Sequence, residues 1–128
     1  MIPFSSCKKP GAKAAQLSAF NMAMTQGKWQ VLSYVDNGIN ETIQFSGYEF
    51  QFNSNGTVTA NKAASIVNGT WSAGNDDYTI KLILNFGTTA NFFKLNDDWH
   101  VGQQTSTTVD LQGPNGGGST NYLAFGKI

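Results

Sequence analysis

Few side chains in this 128-residue sequence carry the chemistry of a reacting group, and none stands in a spacing that defines one. His100 is the single imidazole and Cys7 the single thiol. An imidazole can act as base or ligand near neutral pH, but no Ser, Cys or Asp spacing around His100 marks a nucleophile motif. It lies between Trp99 and Val101, so on a strand it faces away from them, toward solvent. Asp76-Asp77 and Asp97-Asp98 offer oxygen ligands for calcium. Neither fits the spaced acidic loop of such a site, and both read as turn residues at strand starts. Glu41 and Glu49 could form a carboxylate pair for glycoside hydrolysis, yet nothing fixes their separation and both suit exposed strand positions. The glycine-rich stretch from Gly113 to Ser119 lacks the Lys-Ser/Thr and the following helix of a phosphate loop, which leaves a hairpin tip. Asn40-Glu-Thr42, Asn55-Gly-Thr57 and Asn68-Gly-Thr70 match glycosylation acceptors, as an Asn- and Thr-rich chain does by chance. With one cysteine and one histidine, neither an intrachain disulfide nor a Cys-based zinc site can form. The expectation is a protein that is no enzyme and takes no cofactor or metal.

The remaining candidates are aromatic. Trp29, Phe50, Trp71 and Trp99 could line a pocket for a small apolar or amphipathic ligand. The tryptophans also alternate with polar neighbours on strands, the pattern of core residues. Both readings stay open at the level of sequence.

Charge removes one class of partner. Eight lysines balance eight acids, and there is no arginine, the usual fork for phosphate and guanine. Lys8, Lys9 and Lys13 are concentrated at the start, so the body of the chain is mildly acidic. Nucleic acid is not an expected partner. No apolar run approaches the roughly 18 residues of a membrane span.

The elements that must position these residues follow from periodicity. Leu17, Phe20 and Met24 mark one face of a helix over 14–26, and Gly27 is placed to stop it. From Lys28 the period changes to two. Strands are expected at 28–35, 57–61, 66–72, 78–86, 99–105, 107–112 and 121–127. A further strand carries Ile43 and Phe45 on odd positions, then Tyr48, Phe50 and Phe52 on even ones. A one-residue bulge at Ser46-Gly47 would account for that change of parity. Residues 92–95 are expected to pair with 99–105 around Asn96-Asp97-Asp98. Asp36-Asn37-Gly38 and Asn55-Gly56 are turns. Eight or nine short strands with links too short for parallel crossovers predict an all-β antiparallel meander barrel with a short N-terminal helix. Nine Phe, four Tyr and three Trp lean toward an interior filled by side chains.

At Gly27-Lys28-Trp29 the chain resembles the lipocalins, in which a Gly-x-Trp opens the first strand after a short helix and the Trp plugs the closed barrel end. The layout looks like the lipocalin-like domains of Bacteroidetes lipoproteins. The matching stretches are 27–34, 50–58, Gly69-Thr-Trp-Ser72, Asp98-Trp99 and Tyr122-Leu-Ala-Phe125. This resemblance implies a lipocalin-like barrel over 14–128. The function it implies is a binding protein for a small apolar or amphipathic ligand; the alternative, to which the short chain and its aromatic load point, is a solid structural or protein-interaction domain for an envelope partner.

Phe4-Ser5-Ser6-Cys7-Lys8-Lys9 resembles the end of a bacterial lipoprotein signal, in which small residues precede a cysteine that receives a diacylglycerol. Residues 1–13 then read as a signal remnant and tether, with Cys7 the lipid attachment site. The resemblance implies contact with the membrane through the anchor only. The basic residues after Cys7 favour the periplasmic face of the outer membrane in a bacterial envelope.

Overall fold

The two-residue rhythm after Lys28 becomes nine antiparallel strands in one sheet that closes on itself. The computed structural model describes residues 8–76, 79–114 and 120–128, so Cys7, Asp77, Tyr78 and most of the glycine-rich loop lie outside the described residues. The strands are β1 (Trp29–Asp36), β2 (Ile39–Asn40), β3 (Glu49–Phe52), β4 (Thr57–Lys62), β5 (Ser65–Asp76), β6 (Thr79–Asn85), β7 (Asp97–Gln104), β8 (Thr108–Pro114) and β9 (Thr120–Lys127). Each pairs with its successor from β3 onward, and β9 returns to β1 from Trp29↔Lys127 to Val35↔Tyr122. This makes a closed eight-stranded barrel, with β2 a short extra strand on the end of β1. Closure removes the exposed sheet edges that would otherwise invite pairing with other chains.

The helix α1 (Lys8–Thr25) enters first. It starts within the stretch that the sequence reads as tether. Phe20 and Met24 are fully buried against the barrel, Leu17 partly so, and Gly27 ends the helical run in the left-handed region at φ +76°. The Asn37-Gly38 turn takes φ +53° and +81°, the two positive values a tight hairpin requires. At the β3–β4 hairpin, Gly56 donates to the Asn53 carbonyl and holds φ +90°.

Two segments expected as strand are 3-10 turns instead. The first covers Thr42–Phe45, with Ile43 84% exposed and Phe45 buried. Its cause is local competition for hydrogen bonds. Asn40 Oδ1 accepts from both the Thr42 amide and the Thr42 hydroxyl, while that hydroxyl accepts the Tyr34 amide in place of a strand carbonyl. Glu41 then donates its amide to the Tyr34 carbonyl. This turn, followed by Gly47 at φ +86°, replaces the expected bulge and explains the change of parity. It also reduces the β1–β3 ladder to the single pair Trp29↔Phe50. The second turn covers Phe92–Leu95, introduced by Asn91 at φ +68°. Asn96 holds it in place, accepting the Phe86 amide and donating to the Gly87 carbonyl. The register irregularities that do occur lie at Leu32 in β1 and Gly102 in β7.

The barrel interior is filled. Neighbouring rings form an unbroken column: Tyr34–Phe45 at 5.4 Å between centroids, Phe45–Phe92 at 5.3 Å, Phe92–Phe50 at 6.0 Å, Phe50–Phe125 at 5.2 Å, Phe125–Phe52 at 5.7 Å and Phe52–Trp71 at 5.5 Å. Most of these contacts are edge-to-face, the arrangement that ring quadrupoles favour. Phe86 and Tyr48 join the column through Phe92, at 5.3 and 4.9 Å.

Close packing sets at least one residue outside the column. A Cβ on Gly69 would lie 2.6 Å from the Phe86 ring and 2.7 Å from the Asn85 carbonyl oxygen. Gly69→Ala is therefore expected to destabilise the fold by about 1–3 kcal/mol, as overpacking does. Denaturant unfolding would read this as a lower midpoint at unchanged slope.

Candidate functional site

Each of the three tryptophans donates its indole N–H to a carbonyl of an element that is not a barrel strand. Trp29 reaches Met24 at the end of α1 (3.1 Å), Trp99 reaches Leu95 in the second 3-10 turn (2.9 Å) and Trp71 reaches Asn53 at the β3–β4 hairpin (2.8 Å). The strand directions explain the pattern. β1 begins at one barrel end and β6 finishes at the other, so α1 and the turn after β6 lie across opposite ends. A buried N–H left without a partner would cost its full desolvation, and each of these closing elements offers the carbonyl that avoids it. Each Trp thus ties a closing element to the barrel wall.

Trp29, Phe50 and Trp99 are completely buried, and Trp29 carries the Lys127 ammonium 5.2 Å above its ring. Trp71 differs from the other sequence candidates: it borders an open cleft of about 510 Å³ at the α1 end of the barrel. Asn21, Met22 and Thr25 form one wall, residues 54–56 of the hairpin turn another, and residues 71–73 of β5 the floor. Two smaller clefts lie elsewhere on the outside. One, of about 430 Å³, follows the β1–β3 seam beside Ile43; the other, about 230 Å³, crosses the outer faces of β8 and β9 beside Tyr122.

The polar candidates are dispersed. His100 is exposed on the outer face of β7, opposite Lys81 in the β6 register. Glu41, just before the first 3-10 turn, pairs at 2.9 Å with Lys94 inside the second, whereas Glu49 pairs with Lys28 at 3.5 Å. Asp98 pairs with Lys81 at 2.8 Å and Asp97 accepts the Asp98 amide, so this acidic pair performs turn and pairing duties. Two glycosylation-like triplets have a structural use: in each of Asn40-Glu-Thr42 and Asn55-Gly-Thr57 the Asn side-chain oxygen accepts from the Thr amide and hydroxyl. Among the described residues, no three His, Cys, Asp or Glu side chains converge as a metal site. No helix of the described residues is long and apolar enough to cross a membrane.

Tyr34 is a fully buried phenol whose titration is strongly shifted by the fold. Burial first, then the carboxylates of Asp36, Glu41 and Asp97, push its phenol far above the ordinary value. It serves as a neutral donor to the Lys94 carbonyl at 3.1 Å, holding the second turn in place. Because the folded state keeps this proton more tightly, its contribution is complete below the unfolded pKa of about 10 and declines above it. Stability is therefore expected to fall above about pH 10, and Tyr34→Phe to flatten that fall in pH-resolved unfolding.

An antiparallel meander of eight strands, closed between first and last and entered by a helix and a Gly-x-Trp, is a lipocalin-like barrel. The chain belongs to the GH43_C family, a C-terminal lipocalin-like domain, whose model matches residues 10–111. No curated protein matches it. A similar solved structure is that of a DUF4847 family protein from Bacteroides vulgatus ATCC 8482, 20% identical, covering 84% of this chain and 96% of that one with a TM-score of 0.54. At that identity the likeness concerns the fold alone.

Proposed function

We propose that this chain is a non-catalytic domain of the bacterial envelope, a filled lipocalin-like barrel that binds through its outer surface. Of the two functions the sequence leaves open, a calyx for an apolar ligand and a solid interaction domain, the geometry favours the second. The observation that carries this reading is the column of rings from Tyr34 to Trp71, with α1 and the second 3-10 turn across its ends. Eight strands leave an interior just wide enough for side chains or one small ligand, and here side chains occupy it. Titration with a fluorescent fatty-acid analogue tests the reading. No saturable uptake is expected, whereas one-to-one binding displaced by unlabelled fatty acid would restore the calyx.

The envelope address rests on Phe4-Ser5-Ser6-Cys7-Lys8-Lys9. A diacylglyceryl group on Cys7 as the first mature residue would hold the barrel at the outer membrane, facing the periplasm. Mass spectrometry of the protein extracted from native membranes is expected to find that group. An unmodified Cys7 in the soluble fraction would contradict it.

A further inference from the structure

We propose that the cleft between α1, the β3–β4 hairpin and β5 is a binding site for a neutral carbohydrate. This extends the reading of the barrel as a surface binder and depends on it. The cleft carries no charge that would select an ion. No lining residue is ionisable: the walls carry amides and hydroxyls, with Met22, Ala73 and Trp71 between them. A carboxylate, phosphate or ammonium ligand would find no counter-charge there. A molecule bearing many uncharged donors and acceptors would find partners on each wall.

Hydrogen-bonding capacity at the cleft is unused. The side chains of Asn21, Ser54 and Ser72 make no hydrogen bond to another described residue, although the three come from different elements and meet at one cleft. Asn55 uses only its oxygen, accepting from Thr57, which leaves its amide N–H groups available. An amide offers both donor and acceptor at one position, which matches the adjacent hydroxyls of a sugar ring.

An apolar strip lies beside these groups. Met22 is 59% exposed on α1, turned away from Phe20 and Met24, which face the core. Its thioether, Ala73 and the accessible edge of Trp71 present a surface for the C–H face of a pyranose ring. Trp71 is itself fixed by the bond to Asn53 and by edge-to-face contact with Phe52, so the floor is rigid before any ligand arrives. At about 510 Å³ the cleft lies in the size range of small-ligand sites.

The test uses the folded full chain, titrated with maltose, cellobiose, lactose and N-acetylglucosamine and followed by amide NMR. Saturable shifts are expected for at least one sugar, at affinities of about millimolar. They should centre on the Trp71 indole N–H and the side-chain amides of Asn21 and Asn55. Asn21→Ala and Met22→Glu change exposed or half-exposed helix positions and should keep the melting temperature. Each should weaken binding by about fivefold or more, the loss of one neutral hydrogen bond or apolar contact. The proposal is overturned if no sugar gives saturable shifts at tens of millimolar, if the shifts map elsewhere, or if both variants bind as the wild type does. Uptake of the fatty-acid analogue would defeat the filled-barrel reading. Refusal of both the analogue and every sugar would defeat the carbohydrate proposal alone.

Discussion

Phe92→Ala is expected to cost about 3–5 kcal/mol and to open a void that an apolar guest can enter. Phe92 is the hub of the ring column, with Phe45, Tyr48, Phe50 and Phe86 within 6.0 Å of it. Its side chain, with that of Leu95, is also what the second 3-10 turn drives into the barrel end. The surrounding rings are held by strands on several sides and can collapse only partly into the space, so a cavity term adds to the lost transfer energy. Domains of this kind have total stabilities of roughly 5–15 kcal/mol, which makes the loss a large share. Denaturant unfolding measures the cost, and benzene-sized probes should raise the melting temperature of the variant but not of the wild type. A wild-type-like midpoint for Phe92→Ala would mean that this end of the barrel is not packed around Phe92.

The second large effect is expected at the opposite end. Trp29→Ala removes a fully buried ring, the bond to the Met24 carbonyl and the surface on which Lys127 stacks. A loss of about 3–5 kcal/mol follows from the ring alone. A distinctive consequence should separate this variant from Phe92→Ala. Since α1 is tied to the barrel through Trp29, Phe20 and Met24, its amides should lose hydrogen-exchange protection while the β4–β9 strands keep theirs. Trp29→Phe keeps a six-membered ring but loses the indole N–H and part of the buried volume, so its cost should be smaller, about 1–3 kcal/mol. Uniform loss of protection across helix and strands would show that Trp29 supports the barrel itself rather than the closure by α1.

The legible part of this molecule is its period-two part. Tyr78 to Phe86 alternates so regularly that β6 (Thr79–Asn85) and its inward Leu82 and Leu84 follow directly. Gly27-Lys28-Trp29 marks the closed end, and the helical spacing of Phe20 and Met24 marks what covers it. The two 3-10 turns were hidden for a shared reason. Phe92 and Leu95, like Phe45, are large apolar residues in short runs, and such runs carry no period that separates strand from turn. What decides against strand is hydrogen bonding by Asn40, Thr42 and Asn96, which depends on partners brought together by the fold. Those turns also fill and cover the barrel, so the aromatic count leans toward a solid interior without showing which segments close it. The cleft beside Trp71 was equally hidden, because Asn21, Ser54 and Ser72 lie on three separate elements and show no motif in sequence order.

A crystal of the wild-type protein under xenon pressure tests the filled interior most directly, because xenon enters dry apolar cavities without needing a specific contact. No xenon should appear between Tyr34 and Trp71 inside the strands. A well-occupied xenon site within that column would contradict the account and give the barrel back its calyx.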